Sequence, residues 1–455
     1  MDIKTIVAAL LIFTVIVVFH ELGHFLLAVK NGIFVTEFSV GMGLRLITVV
    51  KTKEKWNVKF FMSSKEMENH KEWEDYTKYS IKLFPLGGSC MMLGEDEELD
   101  REDAFNKKGV WARFSAIVAG PLFNFILAFV LSVIIIGIGG IDLPYIARIY
   151  SGRPAESVGL MEGDKVISVA GKKVVLGRDV DIFSSFDMAD YDQVEVVVER
   201  DGKEISVTLD VNYETYLFGF YYLQDDNPAE ISSVSENMPF AEAGIQAGDV
   251  ITAIDGTPIT SGKDLEEYVA GVTIDENAKL EFTYERDGKE KTTVVEPTYY
   301  EGKTLGMAVG RITKVSPLEV IRYSFSEVRY WIVSTVRSLG QLIVGKLSAK
   351  DLTGAVGIVD MVGGVIEQSQ PYGTLKVILN ILKMSVLLSA NLGVMNLLPI
   401  PALDGGRLVF ILIEAIRGKP VDQEKEGLVH LIGFAFLMLL MIYVMYNDIM
   451  RIIGH

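Results

Sequence analysis

The run Ile16–Leu27, "IVVFHELGHFLL", sets His20, Glu21 and His24 inside otherwise apolar sequence. In a helix, residues four apart share one face, so both imidazoles can reach one metal ion. His-Glu-x-x-His is the zinc-peptidase arrangement, with the intervening glutamate as general base. An ionisable group at membrane depth costs upward of about 3 kcal/mol and is functional by default. The chemistry indicated is zinc-assisted hydrolysis. A catalytic zinc site takes three protein ligands and keeps a fourth position open, so one ligand must come from elsewhere.

Three other histidines are candidates, but His70 lies in a charged loop, His430 heads an apolar run and His455 is the last residue. Each position suits a solvated or interfacial imidazole. The stretch Asn391–Arg407, "NLGVMNLLPIPALDGGR", offers Asp404 instead. Pro399 and Pro401 end the preceding helix because proline lacks the ladder amide. The chain can then turn back, with Asp404 on the turn and Gly405-Gly406 permitting close backbone approach. Irregular backbone at membrane depth must be buried in protein or line a watery cavity, which favours a ligand over a plain turn.

Four apolar stretches position these groups: Ile3–Val29, Arg113–Ile138, Leu375–Ile400 and Leu428–Tyr446. Each is long enough to cross a bilayer as a helix, which takes about 20 residues. The first is expected to be retained, since it exceeds a signal h-region and lacks a clean cleavage site. A formal charge of −17 argues against a nucleic-acid partner. The single cysteine, Cys90, excludes an intrachain disulfide and a thiolate cluster. Lys30, Lys107, Lys108 and Arg113 flank one connecting loop, and Arg407, Arg417, Lys419 and Lys425 crowd another. Basic loops stay inside, which places the acidic middle region and both termini outside.

That middle region repeats itself. Pro154–Val166 aligns without gaps on Pro239–Ile251, matching Pro154/Pro239, Gly159/Gly244 and Gly163-Asp164/Gly248-Asp249. A unit recurring after about 85 residues is a duplication. Its helix, Gly-Asp turn and strand ("AGIQAGDVITAIDG") resemble the permuted PDZ domain, giving expected domains at 142–225 and 226–312. PDZ domains take peptide C-termini or extended peptides by strand addition; steric bulk alone is the other reading. Residues 316–347 show helical spacing with Arg322, Arg329 and Arg337, as in an interfacial helix or a scaffold helix packed on the repeats.

"HELGH" in the first span, "NLLPIPALDGG" after the third and a double PDZ insert between the second and third together resemble the site-2 protease family, of the regulator-of-sigma-E type. The resemblance covers essentially the whole chain. It implies a polytopic α-helical membrane protein with four transmembrane helices, a small membrane-associated β-element and two tandem extracytoplasmic PDZ domains. The expected divisions are 1–29, 30–111 (the β-region with a charged insertion), 112–138, the two PDZ domains, 316–347, 374–407 and 428–447. It implies Zn2+ on His20, His24 and Asp404, with Glu21 activating water. Asn391 and Asn396 are implicated in substrate contact, and "AGPLFNFILA" puts Gly120, Pro121 and Asn124 on the family's Gly-Pro-x-x-Asn pattern.

The segment "YSIKLFPLGGSCMMLGEDEE" resembles the family's β-element, whose edge at Gly87, Gly88, Ser89, Cys90 and Met91 would present a substrate strand. Ser89–Met92 departs from the usual Tyr-Val-basic-Met, and Ala355 stands where proline is usual. Lys51–Tyr79 is longer and more charged than the family's connection and reads as a solvated hairpin or helix. The function implied is hydrolysis within transmembrane segments of pre-trimmed proteins, in a bacterial cell membrane. The rival is a silent PDZ-bearing scaffold with structural zinc.

Overall fold

The computed structural model describes residues 2–453 apart from Asp96, Gln224, Asp225, Thr273, Ala349 and Asp351. His455 and the expected boundary residue Asp225 therefore lie outside the described residues. The chain divides into two compact units, 1–141 with 312–455, and 142–311.

The first unit opens with helix α1 (Ile3–Lys30), capped by the Asp2 side chain at the Lys4 amide. A sheet follows, built of β1 (Val35–Lys51), β2 (Trp56–Met62) and β3 (Lys78–Met92) in the order β2-β1-β3. Helix α2 (Ser64–Asn69) lies between β2 and β3, started by a capping box of Ser63 and Glu66. Helix α3 (Val110–Gly139) crosses α1 closely: a Cβ on Gly23 would stand 2.3 Å from the Ala119 carbonyl oxygen. Small residues permit this approach between apolar helices.

The second unit contains two modules. The first comprises β4 (Ile141–Ile149), α4 (Pro154–Ser157), β5 (Lys165–Val169), β6 (Lys172–Lys173), α5 (Asp179–Phe186), β7 (Gln193–Arg200) and β8 (Lys203–Asp210). Strand β9 (Asn212–Leu217) leads out of it. The second comprises β10 (Phe220–Tyr222), β11 (Ala229–Val234), α6 (Pro239–Glu242), β12 (Val250–Ile254), β13 (Thr257–Pro258), α7 (Gly262–Gly271), β14 (Leu280–Arg286) and β15 (Lys289–Val295). Strands β16 (Thr298–Lys303) and β17 (Met307–Thr313) end the insert.

The sheet orders are β17-β4-β5-β7-β8 and β10-β11-β12-β14-β15, and β9 pairs with β16 as a ribbon. The second module is thus nested in the first, which is closed by β17 beside β4. This departs from the expected domains 142–225 and 226–312. Phe218 and Phe220 pack in the second core, whereas Leu305, Met307 and Val309 pack in the first. The repeat signal comes from the helix, Gly-Asp turn and strand at the centre of each module. Closing strands carry no such signal, and tertiary pairing decides where they go.

Each Gly-Asp turn is held by one arginine. Arg200 donates through Nε and Nη2 to Asp164 at 2.6 Å each, and Arg286 does the same to Asp249 at 2.6 Å. The same guanidinium groups reach the carbonyls of Gly159 at 2.9 Å and Gly244 at 2.7 Å. Burial pushes both carboxyls up, but the arginines and a backbone amide outweigh it and hold them below the ordinary carboxylate range.

The chain re-enters the first unit as α8 (Pro317–Ile343), which packs Val328, Trp331 and Ile332 against Phe125, Phe129 and Leu382. Other apolar residues of α8, Leu318, Ile321, Phe325, Val336 and Ile343, are exposed. Helix α9 (Ala355–Ser369) follows, begun by amides of Gly354 and Gly357 that donate to the buried Asp448 carboxylate. Helix α10 (Thr374–Leu397) stops before Pro399, α11 (Asp404–Arg417) restarts at the Leu-Asp-Gly-Gly turn, and α12 (Gln423–Ile453) ends the chain. Among the described residues, α1, α3, α10 and α12 are long and apolar enough to cross a membrane.

Candidate metal centre

His20 and His24 sit one turn apart on α1, both buried, with their Nε2 atoms 3.1 Å from each other. The Asp404 Oδ2 atom lies 3.1 Å from His20 Nε2 and 3.5 Å from His24 Nε2. Zinc bonds of about 2.0–2.1 Å in a tetrahedron separate ligand atoms by about 3.3 Å. The three edges match that figure.

Protonation points the same way. His24 Nδ1 lies 2.9 Å from the Ala116 carbonyl oxygen, so it carries the proton and Nε2 keeps its lone pair. His20 Nδ1 faces the side-chain amide of Asn124 at 3.2 Å. Asn124 is fully buried and its Oδ1 has no partner. Turning the amide over, an ordinary ambiguity for asparagine, lets His20 Nδ1–H donate to that orphan oxygen. Both Nε2 lone pairs then face Asp404, whose Oδ2 is itself buried without a hydrogen-bond partner. With those tautomers, three acceptor atoms converge on one point. The donor set fits a divalent cation and is poorly satisfied without one.

Glycine makes room for the imidazoles. A Cβ on Gly120 would lie 2.2 Å from His24 Nε2 and 2.8 Å from His20 Cε1. Pro121 lies in the next position of α3, one turn before Asn124. The first turn of α11 supplies Asp404, and Cβ atoms on Gly405 and Gly406 would collide with the carbonyl oxygens of Leu398 and Ile400 at 2.0 and 2.5 Å. Ala402 holds a left-handed φ of 77° just before it, and its amide donates to His430 Nδ1 at 2.8 Å. Helix α11 is fixed by Leu408 and Ile411 in a core with Ala28 and Ile117, and by ion pairs Arg113–Glu414 and Arg407–Glu95.

Glu21 lies against β3: a Cβ on Gly88 would stand 3.1 Å from its Cγ. β3 is an edge strand of its sheet. Along it, Gly87 takes a φ of 85°, Ser89 Oγ meets Ser39 Oγ at 2.8 Å, and Met91 is exposed, its carbonyl accepting from Thr36. Asn396 Nδ2 comes within 3.4 Å of His20 Nε2. Asn391 is engaged with α8 instead, its Oδ1 accepting from Thr335 at 2.5 Å. Of the other histidines, His70 stacks on Trp73 and bonds Glu72, while His430 supports the Ala402 turn. The His430 contact and the Ala116 carbonyl had no local sequence signal; Arg113 and Arg407 were legible only as loop charges.

Two imidazoles from one membrane-length helix and a carboxylate from a separate helix form a group that could hold a metal ion. The family model described as peptidase family M50 matches residues 8–71 and 63–440. Zinc metalloprotease RasP of Geobacillus kaustophilus is 31% identical, with 98% of each chain covered. Regulator of sigma-W protease RasP of Bacillus subtilis is 30% identical over 99% of this chain and 100% of that one. Probable protease eep of Enterococcus faecalis is 29% identical over 98% of this chain and 99% of its own. The chain belongs to peptidase family M50, the site-2 proteases, and is a zinc metalloprotease.

Proposed function

We propose that the protein hydrolyses peptide bonds within the membrane-spanning segments of other membrane proteins, after another protease has trimmed them. One observation carries this: the donors of His20, His24 and Asp404 lie within 4.8 Å of one another, on a helix of membrane-spanning length and the turn into α11. Those atoms would hold zinc, which when bound supplies Lewis acidity toward a carbonyl oxygen and toward water. Glu21 is the base. Its carboxylate accepts a proton as the water oxygen adds to the carbonyl carbon, then delivers it to the amide nitrogen as the C–N bond breaks. Asn124 and the Ala116 carbonyl set the imidazole tautomers.

A substrate helix hides its carbonyls in internal hydrogen bonds and must unwind before attack. Pairing along the β3 edge at Gly87–Met91 would hold the unwound segment beside Glu21, with Asn396 at its far side. The insert modules, read as PDZ domains outside a bacterial cell membrane, would bind peptide ends or screen substrates by the bulk left outside. Anti-sigma factors and remnant signal peptides are the substrates in view; the Bacillus subtilis relative, named as a regulator of sigma-W protease, supports the former. The described metal-binding group has three donors, one fewer than a closed structural zinc site, which favours the enzyme over a silent scaffold.

The test uses detergent-purified protein and a membrane-spanning reporter lacking its ectodomain. Glu21→Gln should keep its zinc and lose cleavage by about 10²–10⁴-fold. Undiminished cleavage would overturn the assignment.

A further inference from the structure

Helices α10 and α11 are joined by the loop 398–403, which carries prolines at 399 and 401. Proline has no amide to donate, so only the amides of Leu398, Ile400, Ala402 and Leu403 can fix this loop. Three of them bond locally, to the carbonyls of Met395 at 3.1 Å, Leu398 at 2.7 Å and Ile400 at 3.2 Å. The Ala402 amide instead leaves the loop and donates to His430 Nδ1 on α12 at 2.8 Å. Ala402 needs an external tie, because its φ of 77° lies in the left-handed region that residues with a Cβ rarely adopt. Such a conformation persists only where the surroundings over-determine it.

The seat for that tie is built into α12. Gly433 lies three residues after His430, on the same face. A Cβ there would stand 2.5 Å from Pro401 Cβ and 2.6 Å from the Pro401 carbonyl oxygen. The His430 ring also lies 5.6 Å from the Phe410 ring of α11, between centroids. Loop and α11 thus meet at one imidazole. Leu431, Ile432 and Phe434 beside it on α12 are exposed, so the face bearing His430 and Gly433 is the one turned to the protein. An amide can only donate, so Nδ1 is unprotonated and the ring proton sits on Nε2, which faces Glu426 Oε1 at 3.9 Å.

We propose that His430 is a positioning residue of the metal centre. Its Nδ1 holds the turn at Pro401 and Ala402, and through that turn the direction in which α11 presents Asp404, two residues on. A metal site needs its ligand atoms held to within about 0.5 Å, and the Asp404 carboxylate follows directly on a strained turn whose amide is tied to α12. His430 itself is outside the group of donors that could hold the ion. The last helix, lightly buried along its length, therefore shapes the site without supplying a ligand. This role rests on the reading of His20, His24 and Asp404 as the zinc ligands.

The experiment measures zinc affinity of the full-length, detergent-purified protein by chelator competition, and amide hydrogen exchange of the metal-free protein. His430→Leu removes the acceptor and should weaken zinc binding by about 10–100-fold, with faster exchange at Ala402 and Leu403 even without metal. His430→Asn places a carbonyl oxygen near the position of Nδ1 and should recover most of both. Where His430→Leu gives no single chromatographic species, His430→Gln, whose acceptor lies one methylene further out, takes its place. Equal losses in the Leu and Asn variants would overturn the proposal in favour of packing. Unchanged exchange at Ala402 in His430→Leu would overturn it as well, since the tie would then hold nothing. Asp404→Asn is the control for the ligands. If it loses zinc while His430→Leu binds as wild type does, the positioning role alone fails; if it retains zinc, the ligand assignment fails and the positioning role with it.

Discussion

Asp404 and the pair Asp164 and Asp249 are all buried or nearly so, but their surroundings complete them differently. In the insert, each carboxylate has a guanidinium bound through two hydrogen bonds and a backbone amide besides, at Met161 or Gln246. Its chain supplies everything it needs. Asp404 faces two imidazole lone pairs, and its Oδ2 has no donor. A buried acid satisfied by its own chain is architecture; one surrounded by acceptors marks a place for a cation. The contrast separates site from scaffold without reference to any relative.

The comparison breaks most visibly by removing the acid on each side. Asp404→Asn should lose zinc by metal analysis and bring cleavage to background, while the metal-free protein unfolds no more readily than metal-free wild type. Asp249→Asn should do the opposite. Leaving Arg286 beside an amide costs about 3 kcal/mol of module stability, read as lost hydrogen-exchange protection in β12 and β14, with zinc content unchanged. Should Asp404→Asn destabilise the metal-free fold as much as Asp249→Asn does its module, Asp404 is architecture rather than a place for a cation.

Both acids stood in recognisable sequence, yet only one partner set could be read. His20 and His24 were legible because a helix fixes the relation of residues four apart, and the apolar spans because length and composition suffice. Asp404 could be nominated from its turn, though not the helix α11 that aims it. The arginines were not legible: Arg200 and Arg286 lie 36 and 37 residues from their acids, and only the folded sheet brings them together. Nesting of the second module within the first escaped for the same reason. His430 escaped too, since its partner is the backbone amide of Ala402, 28 residues away.

Within the site, the comparison can be sharpened by asking which neighbours the imidazoles need. Asn124→Ala removes the acceptor that sets the His20 tautomer and should weaken zinc binding by about 10–100-fold. Asn124→Asp restores an acceptor and should recover most of that affinity. A purely packing role for Asn124 would make both variants alike. In Gly120→Ala the added methyl would occupy the space of the imidazoles, so loss of zinc should be at least as large as for Asn124→Ala.

The smallest effect is set by pH. The arginine clamps hold Asp164 and Asp249 below the ordinary carboxylate range in the folded insert, whereas unfolded chain returns them to about 3.9. The unfolded state therefore binds protons first as pH falls, and the clamps' contribution drains away below about pH 4. Above about pH 5 it is fully present and independent of pH. Hydrogen-exchange protection of β12 and β14, corrected for intrinsic rates, should stay level from neutrality to about pH 5 and decline below about pH 4. In Asp249→Asn that acid decline should shrink in the second module and persist in the first, because Asp164 and Arg200 remain. Equal declines in both modules of the variant would mean that other carboxylates set the acid response, and that the clamps are geometric rather than electrostatic devices.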